Sequence, residues 1–158
     1  MKKELEVYFL WWVIYASTVA LAFILSLFGG LVSLFLAADP TYLSVVIFIF
    51  LLLSFLFTGF SFYKNSFSRR ITAYNDFASQ LCMGLGMMGS LVGFAMLLSG
   101  FNLVNFDNAQ STNELVKQIG VGASTAIYTT IAGLGSAILI YINQYMIEKF
   151  MYMKIRIK

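Results

Sequence analysis

The sequence predicts an all-α, polytopic membrane protein with four transmembrane helices in a single membrane domain, residues 1–158. Of its residues, 60% are hydrophobic and only 11% are charged, about half the charged share of a soluble domain. The charged residues also leave four uncharged stretches of 24 to 32 residues. A helix needs roughly 20 apolar residues to cross a bilayer core, so each stretch can hold one span and little chain remains for a second domain.

The first predicted span covers about residues 8–36 and is interrupted at Gly29-Gly30. It ends before Asp39-Pro40, because proline disfavours helix in the residue before it. A cleaved signal peptide is the competing interpretation, since two lysines precede the apolar run. The run is about twice as long as the apolar region of a typical signal peptide, which favours a span.

The other predicted spans cover about residues 41–62, 79–101 and 119–147. Twelve of the sixteen Phe residues lie in residues 1–79, whereas nine of the twelve Gly residues lie in residues 80–158. Bulky side chains suit helices that face lipid. Small residues let helix backbones approach closely, since no hydrophobic effect drives helices together inside lipid. We therefore expect the third and fourth spans to form an inner layer and the first two an outer layer.

The distribution of basic residues predicts the orientation. Nine of the ten lie at the two termini or in the connection between the second and third spans, residues 64–78. The positive-inside rule places these segments in the cytoplasm, so both termini are predicted to be inside. The net charge of +3 is spread over loops and tails, which favours a role in membrane topology and argues against nucleic-acid binding.

The composition excludes most kinds of catalytic and metal site. The chain has no histidine, and its single cysteine, Cys82, lies in an apolar segment. A zinc or iron site built from His and Cys is excluded, as is an intrachain disulfide. No Cys/His or Ser/His pair exists for nucleophilic catalysis. We expect no enzymatic activity, no metal and no cofactor.

Small residues recur at three- and four-residue spacing in the last two spans, so in each span they share one helical face. These predicted helix-packing residues are Gly86, Gly89, Gly93, Gly122, Ala126, Gly133 and Ala137. Hydroxyl residues accompany them, namely Ser90 and Thr130 within the two stripes and Thr125, Thr129 and Ser136 beside the second. One interpretation is that the small residues only pack and the hydroxyls only bond back to their own helix. The other is that two adjacent stripes of this kind form a polar, pore-lining seam.

Two segments resemble motifs of the MotA/TolQ/ExbB proton-channel family. Residues 86–93 read GMMGSLVG and are similar to the family's "GLLGTVxG", and residues 122–134 read GASTAIYTTIAGL and are similar to "GIAEALxxTAxGL". The resemblance covers residues 80–147, a channel core. It implies that Ser90 and Thr130 stand at the family's pore-lining threonines. Thr125 stands where ExbB- and TolQ-like members often carry a glutamate.

The resemblance further implies a proton-channel (stator) subunit of a motor driven by an ion-motive force, located in the bacterial inner (plasma) membrane. Such subunits form a homopentamer around a single-span ExbD/TolR/MotB-like membrane protein, which supplies a membrane aspartate. Four spans are similar to the MotA arrangement, but the large cytoplasmic domain of MotA-like proteins is missing here.

No titratable Asp, Glu, Lys or Arg lies within the predicted spans, and Asp76 and Glu148 are interpreted as solvated residues at their cytoplasmic ends. In the family the single-span partner carries the membrane aspartate. A channel subunit without titratable residues in its spans is what this arrangement would produce. Two alternatives stay open at this point. One is a non-conducting membrane scaffold, and the other is a holin-like or solute pore without a partner.

Overall fold

The computed structural model describes residues 2–64, 69–101 and 109–156, and every element in these ranges is a helix. The helices are α1 (Lys2–Phe28), α2 (Leu31–Ala38), α3 (Leu43–Lys64), α4 (Arg69–Phe101) and α5 (Ala109–Arg156). Four of them, α1, α3, α4 and α5, are long and apolar enough to cross a membrane. The predicted all-α fold class with four transmembrane helices is therefore confirmed. Its orientation stays a prediction, and residues 102–108, in the connection between the third and fourth predicted spans, lie outside the described residues.

The first predicted span is divided between two helices. α1 ends at Phe28, and Gly30 has a φ of +73°, a left-handed conformation that costs glycine little because it has no Cβ. The short helix α2 follows and packs on α5 through the rings of Phe35 and Tyr128, whose centroids are 4.8 Å apart. The pair of glycines therefore ends the membrane helix eight residues before the predicted end of the span.

The connection between α2 and α3 is organised by one buried carboxylate. Asp39 is 1% exposed and accepts hydrogen bonds from the backbone N–H of Ser44 (2.7 Å) and of Thr41 (3.1 Å), as well as from the Thr41 hydroxyl. Side-chain oxygens at this position satisfy N–H groups that a helix start leaves without intrahelical partners. Burial raises the pKa of Asp39, but these hydrogen bonds outweigh it and hold the pKa below its ordinary value.

The last two helices are longer than the predicted spans. α4 has 33 residues and α5 has 48, which at 1.5 Å per residue gives lengths of about 50 and 72 Å. A bilayer core is about 30 Å thick, so both helices extend beyond it. α4 begins ten residues before its predicted span, and α5 begins ten residues before and ends nine residues after its own.

α3 packs against both α4 and α5, and the contacts between them fix how the helices are aligned along their lengths. The core where the three helices meet consists of Ile47, Ala78, Cys82, Ala132, Ala137 and Ile140. On one side of this core, α1 packs on α3 and α5. The Tyr15 ring stacks on Phe55 of α3, and its hydroxyl donates to the Leu139 carbonyl of α5 at 2.9 Å.

Candidate functional site

The closest helix contact in the protein joins α4 and α5 through small residues. A Cβ built on Gly133 would lie 2.6 Å from the Cα of Gly86, and one built on Gly93 would lie 2.6 Å from the Ala126 nitrogen. A Cβ on Gly89 would lie 2.5 Å from the Thr129 side chain. No side chain fits at these positions. Backbone therefore meets backbone along this contact.

We call this contact the seam, defined by Gly86, Gly89, Gly93, Gly122, Ala126 and Gly133. All six residues are buried. Ala137, the remaining predicted packing residue, is also buried, and its carbonyl accepts a hydrogen bond from the Ser79 hydroxyl of α4 at 3.2 Å. Each of the seven small residues predicted to pack helices therefore lies at a contact between α5 and another helix.

Two of the four predicted pore-lining residues are buried between helices of the same chain. Thr125 and Thr129 are both fully buried. The Thr125 hydroxyl lies 2.8 Å from two carbonyl oxygens, that of Ala38 on α2 and that of Val121. The Thr129 hydroxyl donates to the Thr125 carbonyl at 2.8 Å. Helices α2 and α4 of the same chain cover the side of α5 that carries both threonines, and their pore-lining role stays a prediction.

The other two predicted residues, Ser90 and Thr130, are half-buried at the edge of the seam. The Ser90 hydroxyl donates to the Met87 carbonyl and the Thr130 hydroxyl to the Ala126 carbonyl, each at 2.7 Å. Ser90 directly follows Gly89, and Thr130 directly follows Thr129, the residue that Gly89 contacts. The two hydroxyl residues are therefore level with each other on the antiparallel pair.

The direction of Ser90 and Thr130 follows from helical periodicity. Each step of four residues moves about 40° round a helix. On α4, such steps lead from Cys82, which contacts α3, through Gly86 on the seam to Ser90. On α5, they lead from Gly122 and Ala126 on the seam to Thr130. Because α3 packs against both antiparallel helices, both steps lead to the same side of the pair, away from α3.

We call this side the open face: the side of the α4–α5 pair that is turned away from α3. Its middle is apolar and exposed, as shown by Met87, Phe94 and Leu134, which are 53%, 60% and 43% exposed. Towards the end of the pair that carries Arg69 and the last turns of α5, it becomes polar. The polar residues there are Asp76, Gln80, Gln144 and Glu148.

The structure brings together a second group of polar residues that sequence reasoning missed. Asn75 of α4 is fully buried and bonds two side chains of α3. Its Oδ1 accepts from the Ser54 hydroxyl at 2.9 Å, and its Nδ2 donates to the Thr58 hydroxyl at 3.2 Å. A signal for this contact exists, since Ser54, Thr58 and Ser61 recur at helical spacing on an otherwise apolar helix. All three are buried.

A further contact that the sequence did not predict joins α1 to α5. The indole N–H of Trp12 donates to Asn143 Oδ1 at 3.2 Å, and the indole ring packs on Gly59 of α3, which has no side chain to displace it. Asn143 is fully buried. Nothing in the local sequence pairs a tryptophan with an asparagine 131 residues away, so this contact needed the tertiary structure.

The described residues contain no group of three or more His, Cys, Asp or Glu side chains that could hold a metal ion. Cys82 is buried and its thiol lies 3.9 Å from the Ile47 carbonyl of α3. The candidate site therefore consists of two hydroxyls, an apolar surface and a polar end, all on the open face. No family model, curated protein or solved structure matches the chain.

Proposed function

We propose that this chain is the channel (stator) subunit of a motor driven by an ion-motive force in the bacterial inner membrane. Five copies would surround a single-span ExbD/TolR/MotB-like partner that supplies a membrane aspartate, with the open faces turned towards the partner. The observation that carries the proposal is the level placement of Ser90 and Thr130 on one side of the seam. The chain itself catalyses no covalent step.

The proposed mechanism assigns the two hydroxyls a role at the partner's carboxylate. A charged carboxylate within a bilayer is costly unless water or polar groups surround it. The hydroxyls of Ser90 and Thr130 bond to their own helix as donors, which leaves their oxygens free to accept from water. Five such pairs around the partner would hold water beside the aspartate as it gains and loses its proton, so that ion flow is coupled to movement of the ring against the partner.

The test combines the variants Ser90→Ala and Thr130→Val in the complex with its single-span partner. If the hydroxyls line the ion path, the double variant should assemble normally but its ion flow should fall by about tenfold. The reason is that a change of about 1.4 kcal/mol in the free energy of the partner's charged carboxylate is a tenfold change in its protonation equilibrium. Assembly is scored by particle imaging of the purified complex, and ion flow by uptake into proteoliposomes under a proton gradient.

A matched control removes two hydroxyls from other sides of the same helices, since Ser99 lies about 180° round α4 from Ser90 and Ser124 lies about 120° round α5 from Thr130. Ser99 donates to the Met96 carbonyl at 2.8 Å and Ser124 to the Gly120 carbonyl at 2.7 Å, the same kind of local bond that Ser90 and Thr130 make. The variant Ser99→Ala with Ser124→Ala should leave ion flow unchanged. Equal ion flow in wild type and in the Ser90/Thr130 double variant would reassign both hydroxyls to packing.

A non-conducting scaffold is the second candidate, and one observation favours it. The glycines of the seam are used entirely in contacts within one chain, so they are no evidence for a neighbouring subunit. A purified chain that assembles without a single-span partner and carries no ions would support the scaffold. Ion flow without any partner would instead support a holin-like or solute pore.

A further inference from the structure

The polar end of the open face contains the carboxylate of Asp76. Its level along α3 is set by the contacts of the preceding residue, Asn75. Asn75 is bonded to Ser54 and Thr58 of α3. Ser54 is the twelfth of the 22 residues of α3 and so lies at its middle. Asp76 directly follows Asn75 on α4. The Asp76 backbone is therefore level with the middle of α3, within about one helical turn.

The exposed side chains of α3 indicate that this level lies inside the apolar part of a membrane that α3 spans. α3 is uncharged until Lys64 at its last residue. Its exposed residues Leu52, Leu56 and Phe60 are 62%, 60% and 62% exposed, and they extend from one side of the Ser54 level to the other. α3 is about 33 Å long, little more than a bilayer core of about 30 Å. Lipid that covers these side chains also reaches the depth of Asp76.

α1 gives the same result through its own contact with α3. The Trp12 ring packs on Gly59 of α3, so the neighbouring Trp11 lies near the level of Phe60, closer to the Lys64 end than Ser54 does. Trp11 is 62% exposed. Two helices of the outer layer thus present apolar side chains to the surroundings on the far side of the Asp76 level. At this level Asp76 would lie deeper than in the sequence expectation, which makes it a solvated residue at the cytoplasmic end of its span.

Asp76 itself is exposed, and it does not point towards α3. It follows Asn75 by one residue and so lies about 100° further round α4, on the open face beyond Ser79, which bonds α5. A charged carboxylate facing lipid at this depth is costly unless water or polar protein surrounds it. The open face therefore needs water or polar protein next to Asp76, whereas α1 and α3 face lipid at the same level.

Other charged groups lie nearer the Lys64 end. Glu148 of α5 is exposed on the open face, and its Oε1 accepts from Gln144 Nε2 at 3.0 Å. Arg69 lies seven residues before Asp76, about 10 Å along α4. In the other direction Ser90 lies fourteen residues away, about 21 Å. Both Asp76 and Ser90 therefore fit within one bilayer core.

We propose that Asp76 is an ion-relay carboxylate of this chain, placed at membrane depth on the open face between the Lys64 end and the level of Ser90 and Thr130. It would accept a proton or a monovalent cation from the Glu148 side and pass it towards the partner's aspartate. The relay rests on the proposed channel function, while the depth and hydration of Asp76 do not.

The first experiment measures hydration at a known depth. Single cysteines are introduced as Asp76→Cys, Leu52→Cys and Leu56→Cys in a Cys82→Ala background, and membranes open to both sides are treated with a charged thiol reagent. Only a thiolate reacts, and it forms only in contact with water. We expect position 76 to react and positions 52 and 56 to stay unmodified. Reaction at all three would place this level in bulk water, and reaction at none would make the open face dry. Either result overturns the proposal.

The second experiment tests the relay in the assembled complex. Asp76→Asn should lower ion flow by roughly a hundredfold, as for loss of a positioned proton-transfer group, and Asp76→Glu should retain most of it. Glu114→Gln, which changes an exposed carboxylate near the start of α5, is the matched control and should have no effect. Normal ion flow in assembled Asp76→Asn overturns the relay. A wild-type complex without ion flow would overturn the proposed function and the relay together, while the cysteine pattern would still report the depth of Asp76.

Discussion

The seam between α4 and α5 and the contact between α3 and α4 hold helices together in different ways. Along the seam, Gly86 and Gly133 bring backbones so close that no Cβ fits. Between α3 and α4, Asn75 bonds the hydroxyls of Ser54 and Thr58. The first contact depends on shape and extends over several turns, whereas the second depends on a few polar atoms at one level.

The difference shows how a chain with so few charges can specify one arrangement of helices. Apolar side chains gain nothing by leaving lipid for another helix, so association depends on close packing and on interhelical hydrogen bonds. Close packing selects the partner of each helix. A hydrogen bond between two particular residues selects their alignment, because sliding α3 by one turn would separate Ser54 from Asn75 and leave buried polar groups unpaired.

The largest effect is expected where the seam is filled. In Gly133→Leu the new side chain would overlap Gly86 and the Cys82 carbonyl, and overpacking of this kind costs about 3 kcal/mol or more. We expect the free energy of unfolding in detergent to fall by that amount. Gly135→Leu, two residues away with open space around its Cα, is the control. Equal losses for both variants would contradict the close-packing account of the seam.

A smaller effect is expected at the α3–α4 contact. Asn75→Ala leaves the buried hydroxyls of Ser54 and Thr58 without their partner and should lower the free energy of unfolding by about 1–2 kcal/mol. Gln80→Ala removes an exposed amide from the same helix and should change the free energy of unfolding little. If the polar contact sets the alignment, Asn75→Ala should also change the reactivity of a cysteine at position 76. Unchanged reactivity would assign the alignment to the seam alone.

The smallest effect concerns the cap at the start of α3, and it depends on pH. Asp39→Ala should cost about 1 kcal/mol at pH 7. The pKa of Asp39 lies below its ordinary value of 3.8, so its ionised form stabilises the folded chain above about pH 4. This contribution disappears as the pH falls through the lowered pKa. The difference between wild type and Asp39→Ala should therefore shrink at lower pH, as measured by unfolding at pH 7 and pH 3.

A control variant separates this effect from the general response to acid. Glu114→Ala alters an exposed carboxylate of α5 and should differ from wild type by the same small amount at both pH values. A gap between wild type and Asp39→Ala that widens at low pH would contradict the role of the ionised cap.

The sequence by itself determined the number of membrane helices and the small residues that pack closely. Uncharged stretches and the spacing of small residues are properties of single segments, so the four membrane helices and the glycines of the seam could be read from them. The break at Gly29-Gly30 was likewise visible, because two consecutive glycines weaken a helix wherever it packs.

Only the tertiary structure decided how the helices are aligned and which side of each is covered. Thr125 and Thr129 carry the same kind of hydroxyl as Thr130, yet α2 and α4 bury the first two and leave the third at the edge of an open face. Hydropathy places Asp76 at the end of a span because it considers α4 alone. The level of Asp76 along α3 follows from the bonds of Asn75 to α3, since alignment between helices depends on which side chains meet, and that is a property of the pair. The membrane depth that we propose for Asp76 rests on this alignment.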